Sequence, residues 1–229
     1  PPVSYTPPGE GSESTPPSSR PPSSNFKPPT TLEGGPVREA SELEMIPEEL
    51  RERIEDPQYR LHQYILSEEV GSGGMGSVWK AWDIKLSRWV AIKFLNLTDQ
   101  ESIIRFRREA KMTARLRHPN IAGVYEVNVT EGTHYLVMEF IEGKPFQKIE
   151  CSVKEIAKTF VKVCEAIAYA HENDTVHRDI KPANILVNDS GEPFVTDFGL
   201  AKGMHSNTSL SITGSIMGTP AYMSPEQAT

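Results

Sequence analysis

The chain has 229 residues and a formal net charge of −7 at pH 7. This length accommodates one domain with a terminal extension, and the acidic balance argues against nucleic acid as the main partner. The two cysteines, Cys151 and Cys164, match neither a zinc-binding spacing nor a disulfide framework, which favours a reducing, cytoplasmic compartment. No apolar run reaches the length of a membrane span, about eighteen residues.

The first 60 residues differ in composition from the rest. Residues 1–36 hold eleven of the nineteen prolines and almost no large apolar side chains, which predicts a disordered Pro/Ser-rich segment that acts as a linker or docking arm. Residues 37–60 carry eight acidic and four basic side chains. They predict an acidic linker or a short helix within 39–54, with Pro47 in its first turn, either packed on the neighbouring domain or detached. The domain itself is expected over residues 61–229.

A glycine motif opens this domain. Gly71, Gly73 and Gly76 form G-x-G-x-x-G, in which glycine lets the backbone approach a phosphate closely. The same motif begins dinucleotide-binding units, but there a helix follows the third glycine. Residues 77–83 instead have a strand-like pattern that includes Val78, so the context predicts strand, turn, strand.

One lysine interrupts the next apolar strand. Lys93 lies within residues 89–95, where an unpaired ammonium would be costly to remove from water. It therefore needs an anionic partner, unless the strand is an edge strand and the lysine faces solvent. Residues 100–117 have apolar side chains near helical spacing, and Glu109 in this predicted amphipathic helix is the candidate partner. The alternative is a solvated glutamate beside neighbouring arginines.

Further along, the pattern predicts strands around 124–129 and 135–140, followed by a buried helix over 152–173. Residues 177–184 then read HRDIKPAN, and Asp197-Phe198-Gly199 follows thirteen residues after Asn184. These residues supply what phosphoryl transfer requires: Asp179 to accept the hydroxyl proton, Lys181 as a cation for the transferred phosphate, and oxygens of Asn184 and Asp197 for Mg²⁺.

This order of motifs resembles the eukaryotic-type (Hanks-type) serine/threonine protein kinases, most of all their bacterial members, over about residues 60–229. The resemblance implies an α+β bilobal fold with a complete β-rich small lobe and a helical large lobe truncated after the activation segment. We expect the chain to be an excerpt of a longer protein that binds nucleotide weakly and phosphorylates poorly.

The resemblance also implies roles for individual residues. Lys93 would bind the α- and β-phosphates of ATP and pair with Glu109, while His177 would pack under Phe198. Met138 would be the gatekeeper, and backbone groups of Glu139 and Ile141 would bind the adenine base. The residues expected to line the nucleotide site are Val70, Gly71, Gly73, Gly76, Val78, Ala91, Lys93, Met138, Glu139, Ile141 and Leu186.

Three positions depart from the family pattern. Thr113 replaces the hydrophobe that usually packs on the phenylalanine of Asp-Phe-Gly, which either loosens the active arrangement or pairs its hydroxyl with a helical carbonyl. The stretch 143–152 is short, so the small helix expected there is abbreviated or missing. Pro145 occupies the position of a ribose-binding acidic residue in many relatives.

Residues 200–218 resemble a mobile activation segment. Arg178 would receive a phosphate there, with Thr213 as the first candidate phosphorylation site and Ser211 as the second. Thr219 together with Lys181 favours serine or threonine as the acceptor.

The resemblance predicts an enzyme that transfers the γ-phosphoryl of ATP, with Mg²⁺, to serine or threonine hydroxyls of protein substrates. Autophosphorylation would add a second copy of the chain as a partner, and a membrane span would lie only beyond residue 229. Two alternatives remain: an inactive, pseudokinase-like scaffold, and a protein that acts through its Pro-rich arm. Small-molecule kinases are disfavoured because they typically carry His-Gly-Asp in place of His-Arg-Asp.

Overall fold

The computed structural model describes residues 43–73, 76–97, 99–198 and 220–225. They form a β-rich small lobe and a more helical large lobe, as the sequence predicts, and the sheet of the small lobe is antiparallel throughout. Its six strands lie in the order β1-β2-β3-β4-β6-β5. They are β1 (Arg60–Leu61), β2 (Tyr64–Gly73), β3 (Gly76–Asp83), β4 (Arg88–Leu95), β5 (Val124–Thr130) and β6 (Thr133–Glu139).

The two faces of this sheet bury different clusters. Alternate residues of β4 point to opposite faces, so Val90, Ile92 and Phe94 lie in one buried cluster while Ala91 and Leu95 lie in the other. Lys93 has the parity of Ala91 and Leu95, and only 7% of its surface is exposed. The lysine therefore points to the face that also packs against the helix of the small lobe, which rules out the edge-strand alternative.

That helix, α1 (Gln100–Thr113), packs across the second face of the sheet. Asp99 caps its first turn by accepting a hydrogen bond from the Ser102 amide at 2.8 Å, and Phe106 and Ala110 bury its apolar side against the β-strands. The prediction that the helix extends to residue 117 is wrong. Tight turns follow Thr113, and Leu116 is buried in the core of the large lobe instead.

The large lobe is organised by one long helix, α2 (Val153–Glu172), which a capping box between Ser152 and Glu155 begins. A three-stranded sheet lies beside it in the order β7-β8-β9. Its strands are β7 (Gly143–Pro145), β8 (Ile185–Asn188) and β9 (Pro193–Val195). The helix expected within 143–152 is reduced to one 3₁₀ turn, Phe146–Lys148. Neither α1 nor α2, the two longest helices in the described part of the chain, is both long and apolar enough to cross a membrane.

The end of the acidic segment packs against the small lobe. The short helix expected within 39–54 is a 3₁₀ helix over Glu48–Arg53, with Pro47 directly before its first residue. Ile46 and Leu50 are almost fully buried in a cluster with Ile65, Trp82 and Ile84. Of the two alternatives for residues 37–60, packing on the domain therefore holds for the described part. Residues 1–36 lie outside the described residues.

We predict that Leu50→Ala lowers the free energy of unfolding by about 2–4 kcal/mol, because it leaves a cavity where a fully buried side chain packs. Urea denaturation measures this change. Met45→Ala, in the same segment but at an exposed position, is the matched control and should change stability little. Equal stability of Leu50→Ala and Met45→Ala would show that the segment does not belong to the folded core.

Candidate active site

Lys93 and Asp197 form an ion pair between the two lobes at the cleft. Lys93 Nζ lies 2.6 Å from Asp197 Oδ1, so residues 104 positions apart in sequence share one site. Burial opposes ionisation of Asp197, but the Lys93 ammonium, helped by Lys181, holds the pKa of this carboxyl below its ordinary value. The site thus keeps a carboxylate at neutral pH in a place where desolvation alone would favour the acid.

The backbone around β8 and β9 brings Asn184 next to the Asp197 segment. Ile185 pairs with Val195, and the Thr196 amide and hydroxyl both donate to the Asn184 carbonyl, at 2.9 and 3.2 Å. Asp197 then has a φ of +60°, a left-handed conformation that is uncommon for non-glycine residues. Asn184 and Asp197 are the two residues that the sequence assigns to a metal ion.

Asp179 is held by two side chains of its own loop. Lys181 Nζ donates to Asp179 Oδ2 at 2.8 Å, and Asn184 Nδ2 donates to the same oxygen at 3.0 Å and to the Asp179 carbonyl at 2.8 Å. The Asn184 amide nitrogen is thereby occupied, which leaves its amide oxygen to accept from a donor or bind a cation. Asp179 retains Oδ1 for a further contact.

His177 forms the floor of this loop. It is 1% exposed, and one neutral tautomer satisfies both ring nitrogens: Nε2–H donates to the Thr196 carbonyl at 2.8 Å, and Nδ1 accepts from the Asp179 amide at 3.2 Å. Burial lowers the pKa of this imidazole, which favours the neutral form. Its ring centroid lies 4.6 Å from that of Phe198, so the expected packing of this pair is confirmed.

The predicted pairing of Lys93 with Glu109 is wrong for this conformation. Glu109 Oε1 accepts a hydrogen bond from Arg178 Nη1, while Lys93 pairs with Asp197. Burial raises the pKa of Glu109 in spite of the favourable charge of Arg178, and Glu109 Oε2 is buried with no hydrogen-bond partner among the described residues. Arg178, which was expected to receive a phosphate, instead holds the helix α1 through its glutamate.

Of the two interpretations of Thr113, the hydrogen bond to a helical carbonyl is the one observed. Its hydroxyl donates to the Glu109 carbonyl one turn earlier at 3.1 Å, and the side chain is buried. Such a bond satisfies a buried hydroxyl inside a helix without a partner from another element.

The structure places the residues expected around adenine on both lobes. Val78, Ala91 and Met138 lie in or against one cluster on the face of the sheet that carries Lys93. Val70 is 49% exposed on β2, and Leu186 lies on β8 in the large lobe. The amide of Glu139 donates to the Gly123 carbonyl at 2.8 Å. Ile141 follows β6 and is buried.

The three glycines of the loop have different reasons to be glycine. Gly76 has a φ of +133°, and a Cβ there would lie 1.8 Å from the Phe94 carbonyl oxygen, so the fold itself requires glycine. A Cβ at Gly71 or Gly73 would meet no atom of the described residues within 4 Å. The described part of the fold therefore leaves room beside these two glycines.

Sequence reasoning missed Asn120. This side chain is buried and donates from Nδ2 to the Pro193 carbonyl at 2.8 Å, while its own backbone carbonyl accepts from the Val195 amide at 2.8 Å. It thus anchors β9, which leads to Asp197. The available signal was a lone asparagine between a helix and a strand, which does not by itself indicate a partner.

Several assigned positions lie outside the described residues. These are Gly199, Ser211, Thr213 and Thr219.

The geometry of this site agrees with comparisons to known proteins. The family description "Protein kinase domain" matches residues 64–228. This chain belongs to the protein kinase family. The expected resemblance and the bilobal kinase fold are therefore confirmed.

The chain is similar to bacterial serine/threonine-protein kinases. The chain is 42% identical over 174 residues to serine/threonine-protein kinase PrkC of Bacillus subtilis, covering 72% of this chain and 27% of the relative. It is 40% identical over 179 residues to serine/threonine-protein kinase PknA of Mycobacterium tuberculosis, covering 72% and 41%. The chain thus spans between a quarter and a half of the length of these two relatives.

Solved structures agree as well. The PknI kinase domain of Mycobacterium tuberculosis is similar with a TM-score of 0.54 at 27% identity, covering 64% of this chain and 62% of that one. A structure described as PpkA-294 in its apo form has a TM-score of 0.58 at 26% identity, covering 64% and 62%.

We predict that Lys93→Met raises the pKa of Asp197, because the ammonium that opposes the effect of burial is removed. A pKa below the ordinary value means that the ionised carboxylate stabilises the fold above the pKa of unfolded aspartate, and that this stability is lost as pH falls through the folded-state pKa. Carboxyl NMR titration measures the midpoint.

Lys111→Met, at an exposed position of α1, is the control for this titration and should leave the midpoint of Asp197 unchanged. Identical midpoints in the wild type and Lys93→Met would contradict the coupling of the two side chains.

Proposed function

We propose that this chain is the catalytic part of an ATP-dependent protein serine/threonine kinase. The observation that supports it most directly is the convergence of Lys93, Asp197, Asn184 and Asp179 on one cleft between the lobes. Each of these side chains has a polar atom that a nucleotide, a metal ion or a hydroxyl could use. The names of the bacterial relatives favour the same activity.

The donor set fits Mg²⁺ with a nucleotide. No cluster of three or more His, Cys, Asp or Glu capable of holding a metal occurs in the described parts of the chain. Mg²⁺ characteristically needs only one or two protein carboxylates, since substrate phosphates and water complete its octahedron. The amide oxygen of Asn184 and the carboxylate of Asp197 would hold it, and the open space at Gly71 and Gly73 suits phosphates. When bound, ATP supplies the γ-phosphoryl group.

Asp179 would act on the acceptor. Its Oδ2 is held by Lys181 and Asn184, so the carboxylate is oriented and Oδ1 can accept the proton of a serine or threonine hydroxyl. The oxygen of that hydroxyl forms the new bond to phosphorus as the bond to the bridging oxygen breaks, and ADP leaves. Lys181 and Lys93 lie where they can offset the negative charge that spreads over the phosphates.

The contact between Lys93 and Asp197 uses an N–H and a carboxylate oxygen for which the phosphates and Mg²⁺ would compete. We therefore propose that nucleotide binding separates this pair, and that Glu109 then leaves Arg178 and pairs with Lys93. A phosphate on the activation segment would help, because it offers Arg178 a stronger anionic partner than a single carboxylate.

The scaffold alternative has less support. A protein that only docks partners has no need for an oriented aspartate or for a lysine buried beside a carboxylate, both of which are costly to maintain. The proposal places the catalytic part in the cytoplasm, with protein substrates as partners and a second copy of the chain for autophosphorylation.

We predict that Asp179→Asn lowers the rate of phosphate transfer to a serine- or threonine-containing protein by about 10²- to 10⁴-fold, because the proton acceptor is lost. Binding of ATP should change little. Transfer of labelled phosphate and nucleotide titration measure the two properties. Asp189→Asn, at an exposed turn between β8 and β9, is the matched control and should transfer normally. Full transfer by Asp179→Asn would exclude this residue as the base.

We also predict that Thr213→Ala removes the main phosphate that the chain acquires on incubation with ATP and Mg²⁺, and lowers its rate of transfer. Ser211→Ala should have the smaller effect, and Ser18→Ala in the Pro-rich segment none. Phosphopeptide mapping by mass spectrometry locates the phosphate. A phosphate found only within residues 1–36 would contradict activation through this segment.

A further inference from the structure

A segment that precedes the kinase match contacts the strand that carries the glycine loop. The family match begins at residue 64, whereas Ile46 and Leu50 already lie in the core of the small lobe. Their burial fixes the 3₁₀ helix over Glu48–Arg53 in place. Arg53, the last residue of this helix, is therefore presented to β2 from a rigid position.

Arg53 bonds to β2 at an irregular point of the sheet. Its Nη1 donates to the carbonyl of Ser67 and, at 3.4 Å, to the carbonyl of Leu66. The register of β2 with β3 shifts between Leu66 and Glu68 and again between Glu69 and Gly71, so neither Ser67 nor Val70 has a partner in β3. A bulge of this kind bends the strand and sets its direction beyond that point. Arg53 holds the unpaired residue of the bulge.

The guanidinium is itself oriented. It lies over the ring of Tyr59, 4.5 Å from the ring centroid, and Tyr59 packs against the main core cluster of the small lobe. A stacked arginine loses less freedom when it makes a directed hydrogen bond, and a lysine cannot reproduce this geometry.

Beyond the bulge, burial no longer fixes β2. Tyr64, Ile65 and Leu66 are buried, but none of the residues from Ser67 to Gly73 is. The position of Gly71 and Gly73 then depends on the pairing with β3 and on the direction in which β2 leaves the bulge. Arg53 contacts the first of the two irregularities of β2, and the second, at Val70, lies between that point and Gly71.

We propose that Arg53 is a positioning residue for the nucleotide site: by holding the bulge at Ser67 it sets where Gly71 and Gly73 lie above the phosphates. This inference rests on the proposed binding of ATP. It assigns to the segment before the kinase domain a role in nucleotide affinity that is separate from its role in stability.

The test compares Arg53→Ala with Arg51→Ala in the 229-residue chain. Arg51 lies in the same 3₁₀ helix, is exposed, and should serve as the matched control. Calorimetric titration with ATP and Mg²⁺, well below the unfolding temperature, should show a Kd about three- to tenfold higher for Arg53→Ala and unchanged for Arg51→Ala. Arg53→Lys should fall between the wild type and Arg53→Ala, because it keeps a donor but not the stacked fork.

Two further measurements distinguish a positioning role of Arg53 from a merely structural one. Val163→Ala, in the buried cluster of the large lobe, should lower the unfolding temperature yet leave the Kd of the folded protein near that of the wild type. Hydrogen exchange of the amides in residues 68–73 should accelerate in Arg53→Ala and not in Arg51→Ala. If Arg53→Ala fails to fold, the same comparison is made with Arg53→Lys.

Unchanged Kd and unchanged exchange in Arg53→Ala would overturn the inference. A wild-type chain that binds no ATP would instead overturn the proposed function. In that case the exchange rates alone decide whether Arg53 positions β2, and equal rates in Arg53→Ala and the wild type contradict it.

Discussion

The contact between Lys93 and Asp197 is the constraint on which the site depends. An ammonium on the buried face of β4 requires an anion, and the nearest element of the large lobe supplies one at 2.6 Å. The pair fixes how the lobes face each other at the cleft, since each partner is anchored by its own sheet. Asp197 follows β9, which Asn120 holds through a side-chain and a backbone hydrogen bond. A change at either anchor would therefore move the charges of the site.

Four charges in the cleft allow two arrangements. In the observed arrangement, Lys93 pairs with Asp197, and Arg178 pairs with Glu109. Lys93 with Glu109, the pairing that the family resemblance predicts, would leave Asp197 and Arg178 for other partners. The observed arrangement is not the best one for Glu109, because one carboxylate oxygen is buried without a partner among the described residues and burial raises its pKa. Phosphate groups that attract Lys93 and Arg178 would thus shift the balance with little loss at Glu109.

The sequence predicted the elements well and the side-chain partners in the cleft less well. Period-2 and period-3.6 patterns are local, so β4, α1 and α2 could be located to within a few residues, except where Leu116 leaves the helix to enter the other lobe. Motif spacing is also read locally, and Asp179, Asn184 and the Asp197 segment, which it assigns to one site, lie together in the structure. The choice of ion-pair partner, in contrast, is not set by a local sequence pattern. Whether Glu109 meets Lys93 or Arg178 depends on the placement of α1 against the sheet, and no sequence period encodes that placement.

The contacts of Arg53 could not be predicted from the sequence either. Nothing in the kinase motifs points to residues before the domain, and a charged 3₁₀ helix is by composition an ordinary solvated surface. Its significance comes from a bulge in β2, which is a property of strand pairing rather than of either strand alone. The half of β2 that carries Gly71 and Gly73 lacks buried side chains, so core packing does not fix its position. The same lack of burial is why the hydrogen bonds of Arg53 at the bulge are expected to have an effect there that they would not have in the core.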